Sequence, residues 1–398
     1  MRVAIIQSET RFIGGIERVT EGILRHDVWK DVEWHAIFLR PGMLVDTVRE
    51  FFPCDKYAIV DAGRLRNLPR TALTIARIAR QLRKWKIDAV VSQGFHAQCY
   101  GGWAARLAGA RNVFWCHNLV RSEHELRDPV VRLALRAPAD AVISAPRSNL
   151  ATLTQHYGER CPVRLVYPAH PLKSFETGDG RRVRQELGIA DGAPVAAIVG
   201  RLQPWKGQDV FVRAAALVAK HMTDARFLVV GGAAMPGDES FATQLRHAAR
   251  ELGIADTIFF LGERRDIPDV LAAADVVVHA SVEPEPFGLV ITEAMSAGRA
   301  VIASRAGGPS EIIEEGKSGL LTRPGDDAEL AAAMLRVLSD HRFRAELAWN
   351  GRARVESCFS FDRMTQELSS VLRDVVACRE GSRSVRLPEA AAHQPSAD

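Results

Sequence analysis

The sequence predicts an α/β protein of two Rossmann-like domains, each built on a parallel sheet. Three observations carry this. At 398 residues the chain is too long for one ordinary domain and suits two. Short apolar runs alternate with helical patterns along both halves, the mark of a parallel sheet covered on both faces. Several runs end in glycine-bearing or polar loops, and such sheets bind ligands beyond the carboxyl ends of their strands. Apolar (47%) and charged (25%) contents are those of a globular protein.

The first domain is assigned to residues 1–172. Val3–Ile6 is a short strand, followed by Gly14-Gly15, Glu17 and a helical pattern through Ile16, Val19, Ile23 and Leu24. The glycines allow a close backbone approach to a ligand. No GxGxxG is present, so the dinucleotide fingerprint is absent. Further strands are expected at Glu33–Phe38, Tyr57–Val60, Ala89–Ser92, Val113–Trp115, Ala141–Ser144 and Arg164–Val166. His117 follows one of them, where a side chain can reach the crevice at the sheet edge. Cys116 beside it does not make a Cys-His nucleophile, because adjacent strand residues point to opposite faces. A linker is expected at Lys173–Arg182, which is rich in Gly, Asp and charge.

The second domain is assigned to 173–360, with strands at Val195–Val199, Phe227–Val230, Ile258–Leu261, Ala274–His279, Ala300–Ala303 and Gly319–Thr322. After the first of these comes Gly200-Arg201-Leu202-Gln203-Pro204-Trp205-Lys206-Gly207. Arg201 and Lys206 put two cations at a strand's carboxyl end, where they can neutralise a diphosphate. Ala306-Gly307-Gly308-Pro309 is a second close-approach turn, with proline near a helix start. Gly316-Lys317-Ser318 is not a phosphate loop, because Glu311 stands where its first glycine is needed. Helices follow at Asp326–Leu338, Arg342–Ser357 and Phe361–Cys378. The last (361–380) is assigned to cross back to the first domain, and 381–398 to a disordered tail.

The chemistry concentrates in Ser281–Met295, SVEPEPFGLVITEAM. An apolar strand opens into a loop fixed by Pro284 and Pro286, turns at Phe287-Gly288, and enters a helix. That order presents unpaired backbone N–H groups and the positive end of a helix dipole, a phosphate site. Glu285 and Glu293 flank it. Two acids on either side of a phosphate site suit a diphosphate with hydroxyls at both ends, which is a nucleotide-sugar. A helix cap with two solvated acids is the plainer alternative.

Glu285 and Glu293, with Pro286-Phe287-Gly288 between them, resemble the EX7E motif of retaining GT-B glycosyltransferases of the GT4 family. Gly200–Gly207 resembles that family's Gly-Arg-Leu-x-x-x-Lys-Gly string, and Gly307-Gly308-x-x-Glu311 a further family turn. The resemblance implies a GT-B fold, two domains facing a central cleft. It implies a metal-independent enzyme with no cofactor beyond its nucleotide-sugar cosubstrate, UDP- or GDP-linked. It implies donor contacts at Gly14, Gly15, Arg201, Lys206, Arg264, Glu285, Phe287, Gly288, Leu289 and Glu293. Glu285 would hold the sugar hydroxyls, His117 orient the sugar, Arg201 and Lys206 neutralise the departing diphosphate, and Glu293 grip the ribose. The chain departs from the family at Pro168-Ala169-His170, where an Asn-Gly-Val-Asp turn is common, so contacts there stay unassigned. A sugar-nucleotide 2-epimerase and a non-catalytic nucleotide-sugar binder are the alternatives.

No apolar run is long enough to span a membrane, and Met1–Gln7 is too short an apolar core for a signal peptide. Six scattered cysteines without a CxxC pair argue against a disulfide framework or zinc site and fit a reducing cytoplasm. No metal spacing such as Asp-x-Asp or HExxH occurs. Residues 1–172 hold 25 Lys/Arg against 16 Asp/Glu, net +9, while the rest is net −5. A basic first half suits an anionic acceptor or membrane surface; nucleic acid is not an expected partner. Arg64–Lys86 has no acid and an apolar stripe at Ile75, Ile78, Ala79, Leu82 and Trp85. It reads as a core-packed helix with a solvated basic face, or as a surface touching anionic lipid at the inner face of a membrane. The expected role is polysaccharide or glycolipid assembly.

Overall fold

The computed structural model describes residues 1–378 apart from 9, 12–13, 64, 121–125 and 234–238. Arg64 of the basic segment and the tail assigned to 381–398 lie outside the described residues. The first sheet contains β1 (Arg2–Gln7), β2 (Glu33–Phe38), β3 (Tyr57–Ile59), β4 (Ala89–Gln93), β5 (Arg111–Cys116), β6 (Ala141–Ser144) and β7 (Val163–Leu165). The second contains β8 (Val195–Val199), β9 (Arg226–Val230), β10 (Ile258–Gly262), β11 (Val276–His279), β12 (Ala300–Ser304) and β13 (Leu320–Thr322). Every apolar run read as a strand is one.

The strand orders are β3-β2-β1-β4-β5-β6-β7 and β10-β9-β8-β11-β12-β13. Every ladder between these strands is parallel. The winding reverses between β1 and β4, and again between β8 and β11. A crevice opens at such a reversal, beyond the strands' carboxyl ends.

The strands read as near-continuous apolar runs because both faces are covered. Val3 and Ile5 of β1 face a core shared with helices Gly15–Arg25 and Phe361–Ala377. Ala4 and Ile6, one residue out of phase, face helices Leu68–Trp85 and Gly94–Ala108. In β8, Ala196 and Ile198 face one core and Val195 and Ala197 the other.

The chain crosses between lobes at residues 166–172. Val166 and Ala169 are buried in the first lobe's core, whereas Tyr167 and Leu172 pack on the second's. The linker expected at Lys173–Arg182 is therefore corrected. Lys173–Thr177 is a 3-10 helix whose Phe175 is buried in the second lobe's core. Asp179 accepts from the N–H groups of Arg181 and Arg182 and caps helix Gly180–Glu186. The Gly/Asp signal marked a helix start rather than a linker. The Phe361–Ala377 helix returns to the first lobe and buries Met364, Leu368 and Leu372 there.

Candidate active site

Both reversals deliver their loops to one cleft. On the second lobe, β8 leads into the Arg201–Gly207 loop and β11 into the Ser281–Gly288 loop. The two loops are packed backbone to backbone. Gly207 has φ +70°, and a Cβ there would collide with the Ala280 carbonyl oxygen. The Trp205 carbonyl accepts from Val282 N at 2.8 Å. From the other side, Glu285 pairs with Gly307, Gly308 N donates to Glu285 O at 2.8 Å, and a Cβ on Gly308 would strike the Phe287 backbone. The Gly307-Gly308 turn is thus a clamp on the acidic loop.

This clamp brings Glu285 to Lys206 in a short ion pair. His279 Nε2 lies 3.4 Å from the same carboxylate oxygen, and Ser281 Oγ donates to it at 3.3 Å. Lys206 also lies over the Trp205 ring, 4.1 Å from its centroid. Burial works against the Glu285 charge, but Lys206 and His279 outweigh it and hold the group at about 2. Glu285 is therefore an anion at neutral pH, suited to accepting hydroxyl hydrogen bonds. The same low value makes it a poor proton donor.

Helix Leu289–Ser296 begins at Gly288, φ +99°, with no side-chain cap. Ile291 N donates to the Gly288 carbonyl at 2.9 Å, so the N–H groups of Leu289 and Val290 are the ones offered to a ligand. Helix Gly15–Arg25 of the first lobe begins directly across the cleft. A Cβ on Gly15 would lie 3.1 Å from Leu289 Cδ1, and one on Gly14 would lie 4.0 Å from an Arg201 Nη2. Two helix N-termini, one per lobe, thus point at one space with Arg201 beside it. Their dipoles add, so the space favours an anion. Gly14's own N–H already donates to Glu17 Oε2 at 2.9 Å, and Gln7 Nε2 donates to Glu17 Oε1 at 3.1 Å. What Gly14 supplies is close approach, not its donor.

One turn deeper, Glu293 is buried with 5% exposure. Its Oε1 lies 2.8 Å from His170 Nε2 and 3.9 Å from Arg18 Nη1. Burial again opposes the charge, and His170 and Arg18 overcome it, leaving Glu293 below the usual carboxylate range. His117 follows β5, stacked on Trp115 at 4.8 Å, and its buried Nε2 has no hydrogen-bond partner. Burial pushes it down to about 3, so its imidazole is neutral. Cys116 lies in the opposite core, and burial pushes its thiol up to about 12, which removes a thiolate nucleophile.

Arg264 is placed differently from the rest. Its guanidinium is held by Glu186 at 2.5 and 2.9 Å and by Asp266 at 2.8 and 2.7 Å. Those contacts occupy the fork that a nucleobase contact would need. In the basic helix Leu68–Trp85, Leu68 (73% exposed) and Leu73 (50%) stand beside exposed Arg77, Arg80 and Lys84. Arg70 is paired with Asp61. Lys317 pairs with Glu314, and Ser318 Oγ accepts from Glu314 N, so that segment is a local turn. Among the described residues no cluster of three or more His, Cys, Asp or Glu is placed to hold a metal ion. Nor is any helix long and apolar enough to cross a membrane. A cavity of about 780 Å³, lined by Trp29, Trp34, Phe51 and Lys56, shares no residue with the cleft.

His279, Ser281, Arg18 and His170 escaped the sequence reading. His279 ends an apolar strand as His117 nearly does, and that shared signal could have marked it. Arg18 carries no signal, because its relevance depends on the facing helix.

The chain matches two family models: glycosyl transferases group 1 over residues 179–354 and glycosyltransferase family 4 over residues 13–173. It is 31% identical over 357 residues to a D-inositol 3-phosphate glycosyltransferase of Acidothermus cellulolyticus, covering 82% of this chain and 78% of that one. A Nocardia farcinica protein of the same name is 33% identical over 288 residues, 68% of this chain and 63% of its own length. The Anabaena HepE structure with UDP and glucose superposes with TM-score 0.82 at 26% identity, covering 94% of this chain and 100% of that one. The sucrose-phosphate synthase of Thermosynechococcus elongatus, at 23% identity and TM-score 0.75 over 94% and 99% of the two chains, shares the fold.

Proposed function

The chain belongs to the glycosyl transferases of group 1, and on that premise we propose that it is a retaining enzyme transferring a sugar from a UDP-sugar to an acceptor hydroxyl. One observation carries the reading: opposed helix N-termini at Gly15 and Leu289, with Arg201 beside them and the Lys206–Glu285 pair alongside. The diphosphate lies between the N-termini, Arg201 and Lys206. Glu285 and His117 hold the sugar, and Glu293 the ribose. HepE, described with UDP, with UDP-glucose and with UDP plus glucose, supports UDP as the nucleotide.

In this mechanism the acceptor oxygen approaches the anomeric carbon from the face the diphosphate leaves. The C1–O bond to the β-phosphate breaks as the new C1–O bond forms. The acceptor proton passes to the leaving phosphate oxygen, and UDP and glycoside result. Charge grows on the diphosphate, where Arg201, Lys206 and amide dipoles are already fixed, so stabilisation costs no reorganisation. No metal is assigned to this step. The net +9 of residues 1–172 suits an anionic acceptor. The relatives' name suggests a phosphorylated polyol, and a cell-envelope precursor extends the same chemistry.

Incubation with UDP-glucose and an acceptor panel including inositol 3-phosphate is the test. Acceptor-dependent UDP release in EDTA, with the donor's anomeric configuration kept, is expected. Isomerised UDP-sugar without acceptor consumption would instead indicate an epimerase, and binding without turnover a binder. The exposed Leu68, Leu73, Arg77, Arg80 and Lys84 support docking on an anionic bilayer. Co-sedimentation with phosphatidylglycerol vesicles, but not with neutral ones, at low salt is expected; equal partition removes the membrane.

A further inference from the structure

We propose that His170 is the positioning residue for Glu293, fixing its carboxylate for the ribose hydroxyls of the donor. The inference rests on the UDP-sugar reading above. His170 lies in the crossover between lobes, at the point where the sequence departs from the family turn. Its ring is 5% exposed and meets Phe175 edge-on at 5.8 Å. Nε2 lies 2.8 Å from Glu293 Oε1, and Nδ1 lies 3.2 Å from the Pro171 carbonyl. With Nε2–H as donor, the contact is a short hydrogen bond to a carboxylate, of the stronger class.

The crossover that carries this ring is held on both sides. A Cβ on Gly22 would lie 2.8 Å from Pro171 Cδ, so the Gly15–Arg25 helix packs directly on it. Ser296 Oγ, one turn below Glu293, donates to the Leu172 carbonyl at 3.4 Å. Arg18 of the same first-lobe helix approaches Glu293 Oε1 from a second direction at 3.9 Å. Oε1 is thus fixed from the first lobe and from the crossover at once. None of the described contacts uses Oε2. With Oε1 held, the plane of the carboxylate is set, and Oε2 is the oxygen left to accept from a diol. Rigid holding by a supporting hydrogen bond is what gives a binding carboxylate its geometric precision.

A merely structural His170 would weaken every ligand alike. A positioning His170 couples to the ribose. Calorimetric titration with UDP and with 2′,3′-dideoxy-UDP separates the two. His170→Ala is expected to bind UDP about tenfold more weakly while its affinity for dideoxy-UDP changes less than about twofold. His170→Gln, whose amide can still donate to Glu293, is expected to recover all but about threefold of the loss. In a Glu293→Gln background, His170→Ala should add nothing further. Equal losses for both ligands, no loss for UDP, or full additivity with Glu293→Gln would overturn the inference. Wild-type protein that binds neither ligand would overturn the UDP-sugar reading itself.

Discussion

The two walls of the cleft are built differently. On the second lobe, the loops around Glu285 are gripped by other parts of the same lobe. Gly207 backs onto Ala280, Gly308 onto Phe287, and Glu285 collects Lys206, His279 and Ser281. On the first lobe, His117 presents an unpartnered buried Nε2, and the Gly15 helix terminus packs against the Leu289 side chain of the facing lobe. Each wall carries a buried imidazole nitrogen without a partner, His117 Nε2 on the first lobe and His279 Nδ1 on the second, and such burial costs free energy until something bonds to it; what differs is that the second lobe's acid already has its cation. The Lys206–Glu285 pair is in place before the donor arrives, and His117 Nε2 gains its partner from what enters.

The sharpest way to break this contrast is Lys206→Ala. Glu285 then keeps its burial and loses its cation, and the diphosphate loses a fixed charge. Activity with the preferred donor is expected to fall at least about a hundredfold in steady-state assays. Next is Gly207→Ala, which needs a positive φ and meets the Ala280 carbonyl. A destabilisation of about 2 kcal/mol or more is expected in denaturant titration, with activity lost through the displaced Lys206. His117→Phe keeps the stack on Trp115 and removes the orphan nitrogen. Activity is expected to fall about tenfold while the melting temperature holds or rises.

Acid titration sharpens the contrast further. His117 is held near 3 against an ordinary 6.5, so the unfolded chain binds its proton first. Stability is expected to fall as pH drops from about 6.5 toward 3, by up to about 1.4 kcal/mol per pH unit for one such group. Glu285, held near 2 against 4.5, adds its own loss only between about 4.5 and 2. His117→Phe should flatten the upper window and Glu285→Gln the lower one; slopes unchanged in either variant would reject the assignment. The smallest effect is expected from Arg264→Gln, whose guanidinium is committed to Glu186 and Asp266. Donor KM should move less than about threefold.

The strands were legible because parallel strands covered on both faces must be apolar along their whole length. The loops carrying Arg201, Lys206 and Glu285 were legible because a glycine or proline sits wherever the backbone is constrained. Partnerships across distance were not legible. His170 stood out only as a departure from a family turn, and nothing in Pro168-Ala169-His170 names Glu293, which is 123 residues away. Arg264 looked like Arg201, a cation at a strand's carboxyl end, yet the carboxylates of Glu186 and Asp266 claim it.

The sequence by itself determined the two parallel sheets, the glycine turns and the positions of the acids and cations on loops. These follow from local rules: apolar period, breaker residues and helix starts. Only the tertiary structure decided which charges meet. Pairing depends on segments brought together from distant parts of the chain, within the second lobe for Lys206 with Glu285 and across the cleft for Arg18 with Glu293, and both come from cores assembled across the whole chain, with a last helix that returns to the first sheet.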